Sequence, residues 1–317
     1  MKYAKPHLPY DAQVRQLAKR GMDTGAGGDA VRSLRRIGYY RLSGYSYIFR
    51  DISPNGVLLD TFRPDTRLAD VVSLHDFDSR LRHCLSGGLQ ALEVGLRVKV
   101  AYQLGKTSAF AHLNEADLDP IACSAPPRWP TDKATAYESW RTEYDSLQRK
   151  SEREEYVAHF MAKYGGEVPI WAACEFMTMG CLVALYQLAG RGDRKRIAGE
   201  LDVKDPRVLD GWLRALNVLR NHCAHNARIW NRTTTYPPDK VNVRIVGEEI
   251  HHLRSVDRNR VYFLAAVLAY LLRQIDPSTR WPSDFKTTMS KFPNISGVNA
   301  SSMGVQDGWR QQPLWRT

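Results

Sequence analysis

The sequence has few cysteines, and none of them are spaced as metal ligands. The five cysteines are dispersed at Cys84, Cys123, Cys174, Cys181 and Cys223. An odd, scattered set with no C-x-x-C pair is typical of reduced thiols rather than of a disulfide framework. We therefore expect no zinc site, and no other pattern in the sequence points to a metal or a cofactor.

The chain also lacks a long apolar run that is free of polar residues. Its longest apolar stretch, residues 170–189, is interrupted by Glu175, Thr178, Gly180 and Gln187. A carboxylate at the centre of a bilayer is costly, so we expect this stretch to form one buried core helix and not a membrane span. The first residues, Met1–Pro6, carry no apolar stretch or cleavage signature, which predicts a cytoplasmic protein with no membrane partner.

Positive charge is in excess. Lys and Arg number 45 against 34 Asp and Glu, a formal net charge of +11. Hydrophobic residues make up 43% of the 317 residues, which is enough for a substantial core and excludes wholesale disorder. The surplus charge suits nucleic acid, an anionic membrane surface or an acidic protein, and does not choose among them.

Helical signals are dense and strand signals are few. Helical periodicity, with Pro or Gly at several ends, predicts helices near residues 9–20, 28–37, 67–104, 132–163, 170–189, 206–226 and 258–275. The valines of residues 235–250 form the one plausible hairpin, and prolines mark residues 106–130 as a surface connection. The sequence thus predicts an all-α fold.

Composition suggests three parts. Residues 1–60 would be a small N-terminal helical module with an aromatic and basic run. Residues 61–276 would form the helical core. Residues 277–317, rich in Pro, Ser, Asn and Gly, would be an extended, irregular C-terminal tail.

The predicted helix 206–226 carries an arginine in an apolar stripe. At about 100° per residue, one face collects Leu209, Trp212, Leu213, Leu216, Leu219 and Cys223. Arg220 falls inside this stripe, so it must pair with a carboxylate, such as Glu93 or Glu175, or face an anionic ligand. His225 lies nearly opposite, and Asn221 is one turn before it at hydrogen-bonding spacing.

The residues around this helix resemble a known family. Leu219–Arg232 is similar to the signature LRN-x-x-AH-x-x-R-x-WN of the abortive-infection (Abi) family, AbiD/AbiF-like group, within the HEPN superfamily. Four further segments resemble that family's elements in order. These are Leu34–Tyr45 (I-x-Y-Y-R-L-S-G-Y), Leu74–Arg97 (FD-x-x-LR and E-x-x-LR), Pro169–Gly180 (P-x-W-x-x-x-E-x-x-x-x-G) and Met303–Trp315 (MG, W and PLW).

The resemblance implies a HEPN-like helical bundle and a metal-independent endoribonuclease of phage defence, which would act alone or as the toxin of a toxin–antitoxin system. In such enzymes the 2′-hydroxyl of the RNA attacks the adjacent phosphate. Imidazole titrates near neutrality and guanidinium binds phosphate through two donors, so His225 would move protons and Arg220 would stabilise charge. Asn221 would orient the imidazole or the phosphate.

Arg220 and His225 point about 140° apart on one helix. Two copies facing each other would bring them together, so we expect a homodimer with a composite site. The resemblance also implies RNA as the partner: a cellular or phage target, and a cognate non-coding RNA that restrains the enzyme. The alternatives are a non-catalytic HEPN protein that binds RNA or a protein partner, and an adaptor whose motif helix is only a dimer interface.

Several neighbouring residues have two interpretations each. Arg228 and Arg232 would hold flanking phosphates or make ordinary ion pairs, and Trp230 would stack on a base or, more in keeping with its size, pack in the core. The run that contains Tyr39, Tyr40 and Arg41 would bind single-stranded RNA or pack against helices. Glu93 and Arg97, four residues apart, would form an ion pair, unless Glu93 anchors Arg220.

Overall fold

Helices predominate in the computed structural model, which describes residues 6–127 and 131–316, and the all-α prediction is confirmed. The described residues form two compact units, one from residues within 1–82 and 287–300, the other from residues within 83–286 and 301–317. The domain limits expected from composition, at residues 60 and 276, stay a prediction. The first five residues, used to judge the absence of a secretory signal, lie outside the described residues, as do the last three of the 106–130 connection.

The first unit begins with three short helices and one hairpin. These elements are α1 (Tyr10–Lys19), α2 (Asp29–Ile37), α3 (Tyr39–Ser46), β1 (Arg50–Ile52) and β2 (Leu58–Phe62). Gly38, at φ +88°, lets the chain turn between α2 and α3, and its N–H donates to Leu34 O at 2.9 Å. The two strands pair antiparallel, Arg50 opposite Phe62. The long helix α4 (Leu68–Gly105) begins in this unit and continues in the second.

The predicted hairpin at residues 235–250 is wrong, because among the described residues the one two-stranded sheet is β1–β2. Residues 235–247 instead form a loop whose backbone bonds to distant side chains, and a 3₁₀ helix, Glu248–Ser255, follows it. Trp212 donates its indole N–H to Asp239 O at 3.2 Å, and Gly247 N–H donates to the Tyr270 hydroxyl at 3.0 Å. β-Branched residues such as Val241 and Val246 are buried here one at a time rather than along a strand.

The second unit continues α4 and adds nine further helices among the described residues. They are α5 (Pro120–Ser124), α6 (Ala136–Lys150), α7 (Glu155–Lys163), α8 (Ile170–Phe176), α9 (Met179–Leu188), α10 (Arg191–Glu200), α11 (Pro206–Ala224), α12 (Val261–Ile275) and α13 (Trp281–Ser290), the last of which ends in the first unit. No helix of the described residues is long and apolar enough to span a bilayer.

Two helix predictions and one predicted connection need correction. Residues 170–189 form two helices, because Thr178 begins a new one by accepting a hydrogen bond from Cys181 N–H at 3.2 Å. Residues 132–163 likewise contain two helices, α6 and α7. The expected surface connection at 106–130 contains α5, with Asp119 and Cys123 buried.

Helix α4 runs through Gly87 and Gly88 without a break. A Cβ at Gly88 would lie 2.5 Å from the Trp281 indole nitrogen, so only glycine fits there. The indole N–H donates to Cys84 O at 2.8 Å. This glycine therefore makes room for a tryptophan instead of ending the helix.

The segment after Pro277 differs from the irregular tail that we expected. It contains α13 and several one-turn 3₁₀ helices, which bring together the rings of Trp281, Phe285, Trp309 and Trp315. Trp315 donates its indole N–H to the Tyr262 hydroxyl at 2.9 Å. These four aromatic residues thus pack together within the second unit, which explains why the motif of this segment is so rich in tryptophan.

Candidate functional site

Helix α11 presents the predicted apolar stripe to the core. All six residues of the stripe are buried, among them Trp212 and Leu216. The helix begins at Pro206, where the Asp205 carboxylate accepts a hydrogen bond from Arg207 N–H at 2.9 Å. These local signals fix the helix from which Arg220 and Asn221 project.

The helix ends one residue before His225. Asn226 adopts a left-handed conformation at φ +52°, and the N–H groups of Asn226 and Ala227 donate to Cys223 O and His222 O. These two hydrogen bonds form a Schellman motif, in which Asn226 takes the position that is usually Gly. His225 is the capping residue and is exposed, so its imidazole lies at the end of the helix and not on its side.

Arg220 belongs to a charge cluster that we call the Arg220 cluster: Glu93, Arg97, Glu175 and Arg220. The Arg97 guanidinium donates to Glu93 Oε1 at 2.6 Å and to Met177 O at 3.0 Å, and lies 3.7 Å from Glu175 Oε2. Arg220 Nε lies 3.8 Å from Glu93 Oε2. The predicted Glu93–Arg97 ion pair is confirmed, and of the two carboxylates considered for Arg220 the nearer one is Glu93.

The contact between Arg220 and Glu93 is an ion pair that is too long for a hydrogen bond. The Arg220 side chain is 37% exposed, whereas that of Glu93 is 9% exposed. The carboxylate therefore offsets part of the arginine's charge while the rest of the guanidinium faces outward. Arg220 is positioned from within its own unit and stays open to a ligand.

Asn221 lies beside this arginine rather than beside His225. Its side-chain oxygen accepts a hydrogen bond of 3.5 Å from Arg220 Nη1. The bond between Asn221 and His225 is the backbone one, from His225 N–H to Asn221 O at 2.9 Å. Within the described residues no side-chain contact joins Arg220 to His225, as their separation around the helix predicts.

Arg220 and Asn221 line a groove of about 940 Å³. Helices α6, α9 and α11 form most of its walls, and Ala122 of α5, Arg194 of α10, residues 125–127 and Tyr236 complete them. Its charged and amide lining consists of Glu143, Gln187, Arg194, Asp210, Arg214, Asn217, Arg220 and Asn221. The groove was not predicted, because its walls come from five helices that no single motif contains.

A second histidine near the end of α11 was also missed. His222 is half-buried and lines a small cleft with Arg232. Burial, followed by the charges of Arg232 and His225, lowers the pKa of His222, so this imidazole is neutral at pH 7. The sequence signal that could have pointed to His222 is its position between Arg220 and His225 in the motif.

The other sequence candidates have varied surroundings. Trp230 is buried, so core packing is confirmed over base stacking. Arg228 and Arg232 are half-buried. In the first unit, Tyr40 is 91% exposed and Arg41 is exposed, whereas the Tyr39 hydroxyl accepts a hydrogen bond from Arg20 at 3.1 Å. Their RNA-binding roles stay predictions.

No cluster of three His, Cys, Asp or Glu residues able to hold a metal ion occurs in the described part of the chain. A family model described as Abi-like protein matches residues 32–231, which include the α3 segment, the Arg220 cluster and His225. No curated protein and no solved structure shows significant similarity to the chain.

Proposed function

Because this chain belongs to the Abi-like protein family, the abortive-infection proteins of phage defence, we propose that it is a metal-independent endoribonuclease of HEPN type. It would act on cellular or phage RNA and arrest growth. The observation that carries the proposal is the state of Arg220: a guanidinium held from behind by Glu93 at 3.8 Å and open to a groove in front.

The proposed chemistry uses the RNA's own nucleophile. The 2′-oxygen gives up its proton to an imidazole and forms a bond to the adjacent phosphorus. The bond from phosphorus to the 5′-oxygen breaks, and that oxygen takes a proton from an imidazolium. His225 moves these protons, Arg220 stabilises the charge on the phosphoryl oxygens, and Asn221 adds an amide donor. The products carry a 2′,3′-cyclic phosphate and a free 5′-hydroxyl.

We place this chemistry at a two-fold interface. His225 caps the end of α11, while Arg220 lies on its side more than one turn earlier. In a symmetric dimer the exposed imidazole of one copy reaches the guanidinium of the other, and this imidazole takes the proton of the 2′-hydroxyl and returns one to the leaving 5′-oxygen. Each copy then supplies what the other lacks.

Cleavage of a mixed RNA substrate tests the activity. We expect chelator-resistant cleavage with cyclic phosphate ends, reduced by at least 100-fold in both Arg220→Ala and His225→Ala. The controls are Arg153→Ala and His159→Ala, which alter a second arginine–histidine pair of similar spacing on an exposed acidic stretch. Equal loss in the controls, or full activity in His225→Ala, would contradict the assignment.

Mixing the two inactive variants tests the composite site. If Arg220 of one copy works with His225 of the other, subunit exchange restores about a quarter of wild-type activity, because half of the dimers regain one of two sites. A mixture that stays inactive while light scattering detects mixed dimers would place both groups in one chain or remove the composite site.

The ion pair between Arg220 and Glu93 favours one second candidate, a non-catalytic protein that binds a structured non-coding RNA or a protein partner. Tight RNA binding that falls with added salt, without cleavage under any condition, would support it. For the main proposal, a cognate RNA that restrains the enzyme would make the pair a toxin–antitoxin system. Sequencing of co-purifying RNA, with mapping of its ends, separates the two.

A further inference from the structure

One face of α11 is mostly polar from Asp210 to Asn221 and forms the floor of the groove. Asp210, Arg214, Asn217 and Asn221 follow one another at spacings of three or four residues, and all line the groove. At 1.5 Å per residue the face is about 17 Å long. It ends beside Arg220, so any molecule bound at the guanidinium extends naturally along this floor.

The charges of the floor are partly balanced within the protein. Arg214 Nε lies 3.2 Å from Asp210 Oδ2, and the Gln187 amide donates to Asp210 Oδ1 at 2.6 Å. Arg194 is held by Asp119 at 2.9 Å. Of the three arginines on the lining, Arg220 has the longest contact with a carboxylate, 3.8 Å to Glu93, so we expect the positive charge to be least offset at its end of the groove. This gradient suits a ligand with an anion at one end and neutral polar groups beyond it.

Asn217 is the least satisfied group of this floor. Within the described residues its amide makes no hydrogen bond, although it is half-buried in the groove wall. Gly180 of α9 faces it, and a Cβ at that position would lie 3.4 Å from Asn217 Nδ2. A larger residue at 180 would press on the amide. This glycine is also the last residue of the family-like element Pro169–Gly180.

The groove has the size and chemistry of a nucleotide site. A volume of about 940 Å³ lies at the upper end of small-molecule sites and exceeds what one phosphate needs. Amides that offer both donor and acceptor match the edges of unpaired bases. Tyr236, 39% exposed on the lining, supplies a ring for stacking.

We propose that this groove binds the unpaired nucleotides next to the scissile phosphate, with Asn217 contacting a base edge and Tyr236 stacking on a base. This assignment rests on the proposed function, because it places the scissile phosphate at Arg220. The enzyme would then prefer single-stranded RNA, and Asn217 would determine part of its sequence preference.

Binding and cleavage are measured separately. In a His225→Ala background, which prevents turnover, a library of single-stranded RNA hexamers is titrated against protein with Asn217 or with Asn217→Ala. We expect a loss of about 10-fold in affinity for the preferred hexamers and a weaker base preference at one position. Gly180→Val is expected to act in the same direction. The matched control is Arg207→Ala, an exposed arginine on the same helix outside the groove lining.

The outcomes separate the two proposals. If the wild-type protein cuts RNA through His225 but Asn217→Ala keeps the same affinity and base preference, the groove assignment is overturned and the nuclease stands. If nothing is cut but hexamers bind and Asn217→Ala weakens them, the groove stands and the nuclease fails. Duplex RNA binding as tightly as single strands, or no hexamer binding at all, would also overturn the groove. Thermal unfolding midpoints within a few degrees of the parent confirm that the variants fold.

Discussion

Two acid–arginine pairs lie on α4 at the same spacing, Asp78–Arg82 in the first unit and Glu93–Arg97 in the second, yet they have different surroundings. Asp78 is fully buried, and its Oδ2 accepts hydrogen bonds from Arg82 and, at 2.6 Å, from the Tyr45 hydroxyl. Glu93 accepts a hydrogen bond from Arg97 on Oε1 and forms the longer ion pair with Arg220 through Oε2.

We call the first network closed, because its charged residues are buried, and the second open, because one of its members is exposed at the groove. Tyr45 ends the family-like element of α3, and Asp78 and Arg82 belong to that of α4, so the first network ties two motifs together inside the protein. The second also joins motifs, but its last member, Arg220, is exposed at the groove. Acidic and basic residues of the family-like elements thus stabilise the fold in the first network. In the second network we propose that they support catalysis.

The largest effect should come from opening the closed network. Asp78→Asn leaves the Arg82 guanidinium buried without its carboxylate and places amide donors against donors. We expect the free energy of unfolding to fall by about 3 kcal/mol or more, measured by urea denaturation. The control is Asp76→Asn on the same helix, whose pair with Arg36 is partly exposed and should contribute at most about 1 kcal/mol. Equal losses from both would mean that the first network is not closed.

Removal of the third member of that network should cost less. Tyr45→Phe deletes the hydroxyl that donates to Asp78 but keeps the ring, so we expect a loss of about 2 kcal/mol in unfolding free energy. The control is Tyr47→Phe, two residues further along the chain, where the tyrosine is 54% exposed and the change should have little effect. A negligible change for Tyr45→Phe would show that the carboxylate does not need the Tyr45 hydroxyl.

A change in the open network should lower the catalytic activity more than the free energy of unfolding. Glu93→Gln keeps the shape of the side chain, and Arg97 retains Met177 O and Glu175 as partners, so we expect a loss of only about 1 kcal/mol in unfolding free energy. The guanidinium of Arg220 loses its positioning charge, so kcat should fall about 10-fold. KM should stay equal or fall, because a negative charge near the phosphate is gone.

Glu175→Gln is the matched control, since Glu175 is 59% exposed and touches Arg97 but not Arg220 in the described structure. If Glu93→Gln destabilises as much as Asp78→Asn and leaves kcat unchanged, the second network is structural as well. The contrast between the two networks would then disappear.

Local signals determined which parts of the fold were predictable. The helix at 206–226 was predicted nearly to its last turn, because Pro206, the apolar stripe and the polar residues after Cys223 all act within a few residues. The break at Met177 and Thr178 was missed, because apolar residues continue through it. The valines of 235–250 suggested strands, since the bonds that Trp212 and Tyr270 make to this loop come from far along the chain.

The candidate site also has features that local sequence predicts and features that depend on how distant helices pack. The spacing on α11 predicted that Arg220 needs a carboxylate or an anion and that His225 faces elsewhere. The choice of Glu93 over Glu175 depends on how α4, α8 and α11 pack, and both carboxylates fitted the sequence equally well. The groove depends on small residues such as Gly180 and Ala184 on a facing helix, which have no chemical signature of their own.

The smallest effect concerns the histidine beside each network. His75 touches the Tyr45 ring edge and Asp76, and burial, opposed by Asp76 and assisted by Arg82 and Arg36, lowers its pKa. The pKa of His222, less buried, is lowered too. In the unfolded chain the pKa of histidine is about 6.5. As pH falls through this value, the unfolded chain binds protons that the two folded imidazoles do not bind, so the free energy of unfolding decreases.

His75→Gln should therefore reduce the fall in unfolding free energy between about pH 7 and 5, and by more than His222→Gln does. The reverse order would mean that the open region excludes a charge more strongly than the closed one, which its exposed arginine argues against.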